Sequence, residues 1–160
     1  MFNLALGSKL RACDLITLHV RDIAHGSEAL TRATILQRKT QRPVVFKIMP
    51  TTRRALAQWI ADAKLFPADH LFPGRSEPSM HLSTRQYARI VDDWCCQIGL
   101  DATAYGTHSM RRTKVSMIYE RTRNIRAVQL LLGHRKLENT VRYLGVELQD
   151  ALALSEETEI

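Results

Sequence analysis

THSMRRTKVSMIYERTRNIRAVQLLLGHRKLENTVRY, residues Thr107 to Tyr143, decides how the rest of the chain reads. Side chains three apart neighbour each other on a helix, so His108 and Arg111 can face a single anionic group together. Leu130, Leu131 and Leu132 run into Gly133, where a buried helix ends and glycine lets the backbone turn sharply, with His134 just beyond. Tyr143 follows nine residues later. A cation, two imidazoles and a phenol are the groups needed for a phenolic oxygen to attack a phosphodiester. No carboxylate cluster suggests a metal.

Around this stretch the composition narrows the possibilities. At 160 residues and 45% hydrophobic, the chain can bury one ordinary core, and one domain is the default. The net charge of +7 is unevenly spread: Glu147 to Ile160 holds five acids and no Lys or Arg, which leaves 23 basic against 11 acidic residues in the body. A body at +12 suits a polyanion, although basic side chains are more commonly just a solvated surface. The three cysteines, Cys13, Cys95 and Cys96, lack CxxC spacing, so neither a disulfide framework nor a zinc site is indicated, and Cys95 and Cys96 read as core or near-core thiols. No apolar run approaches a membrane span, and no secretory signal is evident. The expected location is cytoplasmic and nucleoid-associated, with no membrane partner.

The remaining elements follow from periodicity. Phe2 to Leu6 reads as a helix stopped by Gly7 and Ser8, with Arg11 in the turn before a second helix from about Ala12 to His19. Asp22 to Gly26 is turn-like. Leu30 to Leu36 and Val44 to Ile48 are β-branched runs around polar Gln37 to Arg42, which reads as a hairpin with Lys39 near its tip. Pro50 opens a helix with Leu56, Trp59, Ile60 and Ala63 inward, ending near Phe66 and Pro67. Asp69 to Met80 is a loop. Ser83 and Gln86 form a capping box before a core stripe of Tyr87, Ile90, Val91, Trp94, Cys95 and Ile98. Thr107 or a neighbour caps a helix with Met110, Val115 and Ile118 inward. Asn124 caps another through Leu132, and Glu138 to Leu144 is a short helix or turn carrying Tyr143. The fold class is α+β, mainly α, with a small antiparallel sheet near the N-terminus.

The residues His108-Ser-Met-Arg111-Arg112-Thr113, Leu132-Gly133-His134 and Tyr143 resemble the catalytic core of the tyrosine recombinases, or phage-type integrases. Lys9-Leu10-Arg11-Ala12-Cys13-Asp14-Leu15 is similar to that family's first arginine motif, and Gln37-Arg38-Lys39-Thr40-Gln41-Arg42-Pro43-Val44 to its lysine hairpin. The resemblance runs from Leu10 to about Val146. It departs from the family at Lys9, where glycine is frequent. It implies a catalytic set of Arg11, Lys39, His108, Arg111, His134 and the nucleophile Tyr143, with no metal and no cofactor.

The chemistry suits that set. Attack on a phosphodiester brings a nucleophile toward a negative centre and gathers charge on the nonbridging oxygens. Guanidiniums, always charged and forked, answer both problems, so Arg11 and Arg111 would clamp the phosphate. A tyrosine hydroxyl with a pKa near ~10 needs a base or a cationic field. His108 suits the acid or base, His134 a hydrogen bond to a phosphate oxygen, and Lys39 a proton for the departing 5′ oxygen. Arg112, Lys114, Arg38 and Arg42 are expected on the DNA backbone.

The implied function is a site-specific recombinase or integrase catalytic domain that breaks and rejoins double-stranded DNA through a 3′-phosphotyrosyl intermediate. A type IB topoisomerase shares the chemistry, and a noncatalytic, shortened integrase-like DNA-binding module is the competing reading. Residues 1–146 are expected to be the catalytic domain and 147–160 an amphipathic tail with Leu148, Ala151, Leu152 and Leu154 on one stripe. That tail would pack on the next protomer of a tetramer on DNA. With Arg11 so near Met1, the family's core-binding clamp domain is expected to come from a separate protein or segment.

Overall fold

In the computed structural model, the residues described are 1–26, 28–75, 77, 79–145 and 156. The expected tail, residues 147–160, lies outside them apart from Glu156. The chain is mainly helical: α1 (Phe2–Ser8), α2 (Ala12–Leu15) and α3 (Val20–Ile23) precede strands β1 (Ala24–His25), β2 (Glu28–Ala29), β3 (Arg32–Leu36) and β4 (Pro43–Lys47). Then come α4 (Pro50–Asp62), α5 (Thr84–Gln97), a 3₁₀ turn at Ala102–Ala104, α6 (Thr107–Thr122), α7 (Ile125–Leu132) and α8 (Leu137–Leu144). The anticipated α+β class is the one observed, with two two-stranded antiparallel sheets, β1–β2 and β3–β4.

The hairpin follows its sequence pattern. β3 and β4 pair from Arg32 opposite Lys47 to Leu36 opposite Pro43. Ala33, Val44 and Phe46 are buried while Val45 and Lys47 are exposed, the period-two alternation of a strand with one covered face. Pro43, unable to donate to a ladder, sits at the first position of its strand.

Several local readings need correction. α1 does not stop at Gly7 but runs to Ser8, and Lys9 takes the left-handed cap at φ 59°. The helix expected from Ala12 to His19 breaks after Leu15. The Thr17 hydroxyl donates to the carbonyls of Cys13 (2.9 Å) and Asp14 (3.3 Å), and extended His19 starts α3, where its backbone N–H donates to the Asp22 carboxylate at 2.8 Å. Asp22 to Gly26, read as a turn, carries the end of α3 and all of β1. α4 closes at Asp62, four residues short of Phe66. Of Thr107 and its neighbours, Gly106 is the N-cap of α6, as the reading allowed. Ile98 is 72% exposed because α5 ends at Gln97, and Cys96 is exposed because it lies one position round the helix from buried Cys95. Trp59 is half out of the core, but its indole N–H donates to the Leu71 carbonyl at 2.8 Å.

The caps read from Ser83 and Asn124 are present. Ser83 Oγ accepts from the Gln86 N–H while the Gln86 side chain accepts from Ser83 N–H, and Asn124 Oδ1 accepts from Ala127 N–H at 2.9 Å.

Buried apolar side chains form two clusters. The larger joins α1 to α5 and the β3–β4 hairpin, with Leu4, Leu15, Ile23, Phe46, Leu56, Leu71, Tyr87 and Val91 at its heart and Met110 of α6 at its edge. The smaller consists of Val115, Val128 and Leu132, with Ile118, Tyr119, Tyr143 and Leu144 packed against it. α6 therefore belongs to both. Each fully buried Val or Leu contributes about 1.5–3 kcal/mol at most, so three of them hold α7 and α8 far less firmly than the large cluster holds everything else. The candidate site lies on the seam between the two.

Candidate active site

The seam is closed by polar side chains. Arg11, the extended N-cap of α2, donates from Nη1 to Gln37 Oε1 at 2.7 Å, and the same nitrogen lies 4.0 Å from Asp14 Oδ2. Asp14 is buried and its Oδ1 accepts the Arg38 N–H at 2.9 Å, tying the first-arginine turn to the hairpin. Gln37 is 1% exposed and makes the central connection: its Oε1 also accepts from the Thr40 hydroxyl at 2.7 Å, and its Nε2 donates to the Leu132 carbonyl at 3.3 Å. From the other side Arg111 Nη2 donates to the same carbonyl at 3.1 Å. That oxygen is at the C-terminal end of α7, where unpaired carbonyls carry partial negative charge and favour cations.

Gly133 makes this closeness possible. Its φ of +67° is the left-handed helix cap, and a Cβ there would meet Val44 Cγ2 at 2.7 Å and Gln37 Oε1 at 3.3 Å. Glycine is needed for both backbone conformation and space.

Past Gly133 the chain delivers His134, whose Nδ1 lies 3.1 Å from the Thr140 hydroxyl of α8. Tyr143, one turn further along α8, packs edge-on to the His134 ring at 5.6 Å between centroids, with the Arg111 guanidinium 5.9 Å from its own ring centre. Tyr143 Oη and Arg111 Nη1 are both buried and make no hydrogen bond to any described residue. Arg111, His134 and Tyr143 thus share one pocket, and Arg11 reaches it through Gln37 and the Leu132 carbonyl.

The electrostatics are those of a cationic, poorly hydrated cleft. Burial, then Arg111 and Arg11, push His134 from 6.5 down to about 4, so the imidazole is neutral at physiological pH. Burial raises the Tyr143 phenol above its ordinary value, while Arg111, Arg112 and Arg11 act in the opposite direction by favouring the phenolate. Burial and neighbouring Arg11 lower Arg111, with Tyr143 and Asp14 opposing.

The other anticipated residues lie around this centre. His108 is exposed on the first turn of α6, while Arg111, one turn on, is 3% exposed. No hydrogen bond or ring contact links His108 to Arg111, His134 or Tyr143 among the described residues. Lys39 is exposed on the β3–β4 connection beside Arg38, and Arg42 is exposed on its far side. Arg112 Nη2 donates to the Leu144 carbonyl at 3.3 Å, capping α8, and Lys114 is half-buried. Among the described residues no group of three or more His, Cys, Asp or Glu side chains is placed to hold a metal ion, and no described helix is long and apolar enough to cross a membrane.

Two participants were not singled out from sequence. Gln37 had a usable signal, a polar side chain directly ending an apolar strand, which must be satisfied once buried. Thr140 had none, since only the packing of α8 on α7 turns its hydroxyl toward His134.

Comparison with known proteins identifies the family. The model of the phage integrase family matches residues 1–149. Tyrosine recombinase XerC of Neisseria gonorrhoeae is 31% identical over 160 residues, covering 98% of this chain and 50% of that protein. Probable integrase/recombinase YoeC of Bacillus subtilis is 26% identical over 147 residues, covering 92% and 76%. The chain spans about half the length of the XerC relatives it matches. Among solved structures, XerA recombinase superposes with a TM-score of 0.76 at 16% identity, covering 99% of this chain and 57% of that one. XerH bound to its difH substrate in a pre-cleavage complex gives 0.73 at 20%, covering 99% and 46%. The two structures match in fold; the family model and the sequence relatives match along nearly the whole chain, and the chain belongs to the phage integrase family.

Proposed function

We propose that this chain is the DNA-cleaving and rejoining domain of a site-specific recombinase, with Tyr143 as nucleophile. The observation that carries the reading is the gathering of Arg111, His134 and Tyr143 in one pocket, where Tyr143 Oη and Arg111 Nη1 are buried without a hydrogen bond to any described residue. A buried guanidinium N–H without a partner among the described residues is a donor ready for an anionic transition state beside the phenol. Tyr143 Oη attacks the phosphorus and the bond to the 5′ oxygen breaks. The phenolic proton passes to His108 or to water, and Lys39 protonates the leaving oxygen. Reversal rejoins the strand without a nucleotide cofactor, because the phosphotyrosyl ester conserves the bond. With the Thr140 hydroxyl donating to Nδ1, neutral His134 keeps a proton on Nε2 for a phosphate oxygen.

Residues 1–146 are the catalytic unit in this proposal. Arg38, Arg42, Arg112 and Lys114 contact the DNA backbone. Assembly as a tetramer on DNA through the 147–160 segment, a clamp supplied by a further segment or protein, and residence with the nucleoid belong to the same proposal. The test is incubation with nicked suicide DNA, in which religation is blocked. A covalent protein–DNA band is expected from the wild type and none from Tyr143→Phe, which should still bind duplex. Binding without any covalent band in the wild type supports the noncatalytic module instead.

A further inference from the structure

Lys9 is a buried lysine that the chemistry above leaves unused. It stands where the chain leaves α1, in the left-handed conformation at φ 59°, which costs a side-chain-bearing residue energy that glycine avoids. The residue is 5% exposed, barely more than Arg111 at 3%, and its Nζ donates to a single acceptor, the Gly7 carbonyl at 3.0 Å. α1 packs on α6, and the charges facing Lys9 from α6 are both positive, Lys114 and Arg111. α1 contributes no ionisable side chain, β4 only exposed Lys47, and on the next turn Asp14 lies beside Arg11. Among the described residues Lys9 has no ion-pair partner.

A strained, buried ammonium among like charges works against folding, so its placement points to an anion that it meets in use. We propose that Lys9 is a third cation of the phosphate-binding cradle, its ammonium turning from the Gly7 carbonyl to a DNA phosphate held by Arg111 and Lys114. This rests on the DNA-binding reading above.

Burial, then Lys114 and Arg111, lower the amine from 10.5 to about 8, so it titrates close to working conditions. A phosphate stabilises the protonated form, and duplex binding by the wild type must weaken as pH rises through about 8. Lys9→Arg keeps the charge at every accessible pH and removes only that alkaline loss, leaving contributions from other groups, such as the Met1 amine, in both proteins. Lys9→Gly removes strain and charge together.

The experiment measures affinity for a random-sequence duplex across salt and from pH 7 to pH 9.5, with thermal unfolding of each variant. Lys9→Gly is expected to raise the unfolding midpoint by roughly 2–4 °C while lowering the salt slope by about 1. Lys9→Asn, which tolerates the left-handed region, is expected to lower the slope equally. A Lys9→Gly protein that melts lower and binds with an unchanged slope, or a wild type whose pH profile coincides with that of Lys9→Arg, overturns the assignment of Lys9 alone. A wild type with no salt-dependent duplex binding overturns the DNA-binding reading and this inference with it.

Discussion

Gly133→Ala is the sharpest test of how the seam is built. Alanine at φ +67° incurs the left-handed penalty of about 1–2 kcal/mol. Its methyl also lands 2.7 Å from Val44 Cγ2 and 3.3 Å from Gln37 Oε1, so the hairpin and α7 must part, and such overpacking costs about 1–3 kcal/mol. Gly99→Ala is the natural control, because φ there is +75° but nothing lies within 4 Å of the added carbon. At roughly 2–4 °C per kcal/mol for a chain of this size, Gly99→Ala should lower the unfolding midpoint by roughly 2–8 °C. Gly133→Ala should lower it by roughly 2–12 °C more. Thermal unfolding followed by circular dichroism at equal protein concentration gives both numbers. Equal losses in the two variants would falsify the close approach of Val44 and Gln37 to the α7 cap.

Three further outcomes follow from the same geometry. Gln37→Ala frees Arg11 and strips one donor from the Leu132 carbonyl, so cleavage of suicide DNA should fall by on the order of 10²-fold, like the loss of an oxyanion donor, and salt-dependent duplex binding should persist; unchanged cleavage would remove Gln37 from the machinery. Because His134 binds its proton less readily folded (about 4) than unfolded (6.5), it contributes stability above pH 6.5 that is lost as pH falls toward 4, and urea midpoints measured over that window should slope less in His134→Gln than in the wild type. Ser83→Ala removes the acceptor for the Gln86 N–H and should cost about 1 kcal/mol in urea unfolding without altering DNA binding.

What could be read from the sequence was what local chemistry controls. Ser83 and Asn124 cap because their side chains satisfy orphan amides whatever lies beyond, and the hairpin alternates because one face is covered. Arg111, His134 and Tyr143 entered one set through the resemblance to the tyrosine recombinases rather than through spacing; the spacing paired Arg111 with His108, which is exposed while Arg111 is buried. Ile98 and Cys96 were misassigned because an apolar stripe does not announce where its helix ends or which of two adjacent thiols turns inward. The break after Leu15 depended on a Thr17 hydroxyl preferring backbone carbonyls behind it. Gln37 was harder still: its importance arises from a carbonyl at Leu132, far away in the chain, to which no periodicity points.

The hydrogen bond from Gln37 to Leu132 joins residues 95 apart in sequence. During synthesis the N-terminal part emerges first and can begin to fold as a unit. A nascent chain released through α5 already displays Arg11 and the hairpin, with most of the large cluster to hold them, yet it lacks the carbonyl that draws the two arginines together and has neither imidazole nor phenol of the seam. On the proposed function, such a chain would hold a nearby nucleic acid through charge and would lack the nucleophile. In the proposed mechanism, strand cleavage therefore waits for α8, the helix that carries Tyr143, to be made after Arg11 and the hairpin.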